Sequence, residues 1–180
     1  MGRIFKKFTA SFGDKTVSDT AQIDSGSDVS ILRPELAQRL KIDPENITLS
    51  VGKGIGEQHV MGIELPVRIA IDSSAATVTA FVPVATIGDD NKVKDIHTER
   101  NLIGADFLQA TGAKLDYSRP HNLVFSGPSE FNYFRKEKMT PAMRRLAEEC
   151  VRRLFGKKSG NGNDEEVARL TRKVRSMMKK

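Results

Sequence analysis

Asp24, Ser25 and Gly26 stand at the end of an apolar lead-in, in the stretch "QIDSGSDVS" at residues 22–30. A carboxylate at the point where a strand ends, followed at once by a hydroxyl and a glycine, fits general acid–base work on a small loop. The same tripeptide also makes an ordinary turn, and taken alone it does not separate the two. Other chemistries find less support. "GKGIG" at residues 52–56 has the glycines of a phosphate loop, but strand-like sequence follows it and no Lys-Ser/Thr pair closes it. His59, His97 and His121 lack the spacing of metal ligands. The single cysteine, Cys150, falls on an apolar helix face, which fits a packed thiol better than a nucleophile. No cofactor is expected.

The elements that must position the acid are mostly short strands. "IFKKFTASF" and "TVSDTAQID" flank the turn signal "GDK" and predict a hairpin. "ELPVRIAID" places Leu65, Val67, Ile69 and Ile71 on one face, and "ATVTAFVPV" does the same with Val78, Ala80, Val82 and Val84. "AKLDY" and "NLVFS", around "SRPH", predict another hairpin, and the charged run "DDNKVKDIHTER" reads as an exposed loop. Two short helices interrupt the strands. "RPELAQRL" carries Pro34 near its start, where the missing N–H costs nothing, and "ADFLQATG" stops at Gly112. This spacing points to a small, mainly antiparallel β-fold or barrel.

Charge divides the chain. The net charge is +6, yet residues 130–180 hold 15 basic and 7 acidic residues, so the front part is slightly acidic. A nucleic-acid-binding front domain is therefore not expected. In the tail, Thr140 and Pro141 open a helix whose stripe runs through Met143, Leu146, Ala147, Cys150, Val151, Leu154 and Phe155. A Gly/Ser/Asn linker, "GKKSGNGN", leads to a second, weaker stripe through Val167, Leu170, Val174, Met177 and Met178. The expected organisation is a domain over residues 1–129 and a basic amphipathic helical extension over 130–180. No apolar run reaches membrane-spanning length, and the start reads as neither a secretory signal nor an acylation motif, so a cytoplasmic setting is expected.

The order "TAQIDSGSDVSILRPELAQRL", then the glycine-rich "VGKGIGEQHVMG", then "RNLIGADFLQATGAKLDYS" resembles the retropepsin-like aspartic proteases across roughly residues 5–127. "LIGADFL" is similar to the Gly-x-Asp-apolar-Leu segment of cellular members. The resemblance implies a closed antiparallel acid-protease barrel with short helices, and an aspartic endopeptidase using Asp24. Ser25 and Gly26 would support the active-site loop. Ser27 and Asp28, with Gly54, Ile55 and Gly56 of a mobile flap that also includes Gly52, would contact substrate. Such chemistry needs two carboxylates sharing one proton, and one Asp-Ser-Gly loop supplies one. The implied enzyme is therefore a homodimer with a dyad across its two-fold axis, acting on a peptide or protein substrate.

Rival readings remain open. Asp28 equally suits a structural acid paired with a donor, Asp106 a brace for its helix, and Asp116 a turn. The chain as a whole could be a non-catalytic dimerisation or peptide-binding module of the same fold. Its basic tail could bind nucleic acid or an anionic membrane surface, although the apolar stripe through Phe155 favours helices that pack on the domain or on their twins in a dimer.

Overall fold

The computed structural model describes residues 3–43, 47–53, 59–87, 93–95, 100–116, 122–125 and 139–155, together with residues 169 and 172. Strands β1 (Ile4–Phe12) and β2 (Lys15–Ile23) form the first hairpin in continuous antiparallel register, from Ile4↔Ile23 to Phe12↔Lys15. Its two-residue turn carries Gly13 at φ 56°, a region glycine enters without steric cost. Ile4, Phe8 and Ala10 of β1 point inward, as a period of two requires.

Two long strands follow the first helix. Helix α1 (Pro34–Arg39) begins at its proline and buries Leu36 and Ala37. Strand β3 (Thr48–Lys53) pairs with β4 (His59–Ile71), and β4 turns through Asp72 and Ser73 into β5 (Ser74–Ile87). Asp72 accepts a hydrogen bond from Lys6 Nζ at 3.0 Å, tying the turn to β1. Leu65, Val67, Ile69 and Ile71 on β4 and Val78, Ala80, Val82 and Val84 on β5 are all buried, on the faces their alternation predicts. From Ala80 to Ala85 every residue of β5 is buried, so this strand is covered on both sides.

The segment read as an exposed loop contains a short strand, β6 (Val93–Asp95), paired antiparallel with β5 from Ala85↔Asp95 to Ile87↔Val93. Three residues, two of them charged, carry no period-two signal, and charge is what edge strands commonly use to discourage further pairing. Strand β7 (Asn101–Ile103) adds to β2 in parallel, and helix α2 (Ala105–Thr111) follows it, ending at Gly112 with φ 65°. Strands β8 (Ala113–Asp116) and β9 (Asn122–Phe125) make the hairpin expected around "SRPH" as a separate two-stranded sheet.

The architecture is mainly β, with nine strands and three helices among the described residues. The closed barrel expected from the sequence is not found. The seven-stranded sheet is mixed and open, in the order β6-β5-β4-β1-β2-β7, with β3 on the flank of β4. The reason lies at β7. Beyond this three-residue strand the described residues offer only Ile31, which makes one isolated bridge to Leu102 and one to Phe81. A single residue cannot supply the ladder that closes a barrel.

The chain divides into two compact units. The first comprises Met1–Ile42, Glu64–Val82 and Thr98–Phe134, and it contains the Asp24 loop. The second comprises Asp43–Ile63, Pro83–His97 and Arg135–Lys180. In the second unit, helix α3 (Pro141–Phe155) starts where Thr140 Oγ1 accepts the Met143 N–H at 3.2 Å. It packs on β3. Met143, Leu146, Ala147, Cys150 and Val151 are buried within this single chain, so most of the stripe needs no second copy to cover it. The second tail stripe lies wholly outside the described residues; between its positions, Arg169 and Arg172 are helical and exposed. Among the described residues no helix is long and apolar enough to cross a membrane.

Candidate active site

Strand β2 ends at the buried Ile23, and its parallel ladder with β7 gains one more rung when the Asp24 N–H donates to the Ile103 carbonyl at 2.9 Å. The chain then turns. Asp24 Oδ1 accepts the Gly26 N–H at 3.0 Å, and the Asp24 carbonyl accepts the Ser27 N–H at 3.2 Å. This is an Asx turn, in which the side chain imitates a backbone acceptor and so is itself held in place. A Cβ on residue 26 would lie 3.2 Å from that same oxygen, a tight contact with the acid. The Asp24 carboxylate is half-buried, and Gly26 is its one hydrogen-bond partner among the described residues. Ser25 is exposed.

The rest of the loop is fastened to the start of α2. The first two N–H groups of a helix have no partner within it. Here the Ser27 carbonyl accepts from Ala105 N at 2.7 Å and the Asp28 carbonyl from Asp106 N at 3.2 Å. The Ser27 hydroxyl donates to the Val29 carbonyl at 2.7 Å, which turns it back on its own loop. The Asp28 side chain is exposed and has no partner among the described residues, so the pairing considered for it is not made there. Gly104 is required by crowding. A Cβ there would sit 2.4 Å from the Val29 carbonyl oxygen and 2.7 Å from that of Ser27. Its φ of −92° is open to any residue, so the constraint is contact alone.

Asp106 acts as the brace its position suggested. Its Oδ1 accepts from the Ser30 hydroxyl at 2.7 Å and from Phe107 N at 2.7 Å, and its Oδ2 accepts from Ser30 N at 2.9 Å. Burial pushes the Asp106 carboxyl above the usual range, and the donors of Ser30 and Phe107 offset only part of that effect. Ser30 is fully buried, and its Oγ also accepts the Gly104 N–H at 3.1 Å.

A second clamp holds the outer side of the loop. Arg33 Nη2 pairs with Asp19 Oδ2 at 2.6 Å. Asn101, fully buried, accepts from Arg33 N at 2.9 Å through Oδ1 and donates to the Thr20 carbonyl at 3.1 Å through Nδ2. β2, the start of α1 and β7 are thereby joined. Burial acts to raise the Asp19 carboxyl, but the Thr20 N–H, Arg33 and Asn101 together hold it below the usual carboxylate range. A carboxyl depressed by folding contributes stability above its unfolded pKa and loses it as pH falls through the lowered one. Asp19→Asn is therefore expected to be less stable than the wild type at neutral pH, with the gap closing below about pH 4. Urea titrations at a series of pH values measure this, and a gap that stays constant into acid would show that the ion pair does not matter.

Sequence reasoning singled out Asp24, Ser25, Gly26, Ser27 and Asp28, and these five form one continuous loop on the structure. It did not find Ser30, Asp19, Arg33 or Asn101. The partners of Asn101 lie 68 and 81 positions away, and no local pattern announces such pairs. Of the flap, Gly52 is a buried residue of β3, whereas Gly54, Ile55 and Gly56 lie outside the described residues. The strands on either side of them, β3 and β4, do pair. Among the described residues no cluster of three or more His, Cys, Asp or Glu side chains forms a metal site. A scan against protein-family models finds no match to this chain, and a search of curated proteins finds none either.

Proposed function

We propose that the chain is an aspartic endopeptidase of the retropepsin-like kind, working as a homodimer whose catalytic dyad is Asp24 from each of two copies. The observation that carries the reading is the fixing of Asp24. Its main chain is bonded to Ile103, its Oδ1 is held by Gly26, and the residue is only part-buried. An acid held by backbone groups needs no rearrangement when charge develops, which is how enzymes lower barriers.

Two such acids brought together share a proton, because both cannot ionise at close range. The ionised one takes a proton from water, and the oxygen attacks the scissile carbonyl carbon. The neutral one gives its proton to the carbonyl oxygen, leaving a tetrahedral diol. The acid that took the water proton returns it to the peptide nitrogen while a diol hydroxyl gives its proton to the other acid, and the C–N bond breaks into acid and amine. In this reading Ser25, exposed beside the acid, braces the two loops against each other. Ser27 and Asp28 line the cleft, and Gly54, Ile55 and Gly56 belong to the lid. In the same reading the two-stranded β8–β9 sheet, separate from the main sheet, is where strands of two copies pair. A peptide substrate and a cytoplasmic setting belong to the same reading.

The test is incubation of the full chain with a peptide library at several pH values, with cleavage followed by mass spectrometry. Absence of cleavage at every pH by folded, concentrated protein would overturn the proposal. A shared dyad also predicts a concentration dependence. Well below the dimer dissociation constant, activity per subunit should fall in direct proportion to concentration, in step with dissociation seen by sedimentation. Constant specific activity in a proven monomer would remove the dimeric mechanism.

A further inference from the structure

One peptide group joins the two halves of the loop's support. The carbonyl of the Ile103–Gly104 peptide accepts the Asp24 N–H at 2.9 Å, while the N–H of that same peptide donates to Ser30 Oγ at 3.1 Å. Ser30 Oγ passes its own hydrogen to Asp106 Oδ1 at 2.7 Å. The bonds therefore run in one direction, from the Asp24 amide through a peptide and a hydroxyl to a carboxylate. Hydrogen bonds in series polarise one another, so a strong acceptor at the far end strengthens each bond before it. The second carboxylate oxygen, Oδ2, holds Ser30 N at 2.9 Å, which prevents the hydroxyl from turning away with its backbone. Gly104 permits the close approach that the arrangement needs.

We propose that Asp106 is a positioning residue for Asp24, acting through the Ser30 hydroxyl and the Ile103–Gly104 peptide to fix where the Asp24 loop stands. The bracing is a property of the fold; that it serves peptide cleavage rests on the aspartic-peptidase reading. Asp106 touches no substrate in this scheme. Its substitution alters the placement of another acid, and the loss is expected in kcat more than in KM.

The experiment uses the full chain, labelled with 15N, as wild type, Asp106→Asn, Ser30→Ala and the double variant. Each single variant is expected to speed hydrogen exchange at the Asp24 and Gly104 amides by about tenfold or more, with the β1–β4 ladder amides unchanged. The double variant should exchange no faster than the faster single one, because both residues serve one chain of bonds. In peptide cleavage, kcat should fall in the same order with KM held within about threefold. Unchanged exchange at Asp24 in both single variants, or a double effect equal to the sum of the two, would overturn the proposal. If Asp106→Asn does not fold, exchange in Ser30→Ala alone decides it. If the wild type cuts no peptide, the peptidase reading fails, while the exchange measurements still decide the relay.

Discussion

Asp24→Asn is expected to abolish peptide cleavage, lowering kcat on the order of a thousandfold or more, while fold and self-association persist. The substitution is nearly isosteric. An asparagine can keep its carbonyl oxygen towards Gly26 N–H, now 3.0 Å from Asp24 Oδ1, and the position is only part-buried, so its amide need not be enclosed. No buried group is left unpaired, so the melting temperature should stay within about 2 °C of the wild type. The chemistry, in contrast, cannot survive, because an amide neither takes a proton from water nor supplies one to a carbonyl. A shared dyad adds a sharper outcome. Subunits of the variant mixed in excess with wild type should suppress wild-type activity, since each mixed dimer has one acid where two are needed. Undiminished cleavage by the folded variant would remove the peptidase reading. Loss of cleavage without suppression in a freely exchanging mixture would keep Asp24 and remove the dimer.

The legible part of this fold is its local part. The hairpin at Gly13, the helix starts at Pro34 and at Thr140-Pro141, and the helix end at Gly112 each follow from what one or two residues can do with their own backbone. The inward faces of β4 and β5 follow from period two. The sequence signal weakens where distant segments meet. Parallel pairing of β2 with β7 rests on three residue pairs and sets an open, mixed sheet in place of a closed barrel. β6 has too few residues to show a period. Asp24 was legible because the acid, hydroxyl and glycine are adjacent. Ser30 and Asp106, 76 positions apart, become one device only when β7 and α2 are laid beside the loop, and a serine in "DVSIL" gives no sign of that alone.

Gly104→Ala is expected to cost about 2–4 kcal/mol of stability and to reduce activity further than that loss accounts for. The added Cβ would lie 2.4 Å from the Val29 carbonyl oxygen, 2.5 Å from its carbon and 2.7 Å from the Ser27 carbonyl oxygen. All three are backbone atoms, so no side chain can swing aside to make room. The loop and the β7–α2 junction must separate, and the bonds between them are short: Asp24 N to the Ile103 carbonyl at 2.9 Å and Ala105 N to the Ser27 carbonyl at 2.7 Å. A shift on the order of 1 Å weakens both and moves the Asp24 carboxylate, and a displacement of that size at a reacting group can lower the rate about a hundredfold. Gly26→Ala is the matched comparison. Its Cβ would meet only Asp24 Oδ1, at 3.2 Å, the end of a side chain that can rotate away. That variant should lose less than about 1 kcal/mol of stability, while its activity still suffers because the displaced atom is the acid itself. Denaturant titration and peptide cleavage on both variants separate the two cases. Wild-type stability in Gly104→Ala would show that the loop and the β7–α2 junction do not meet as closely as these contacts require.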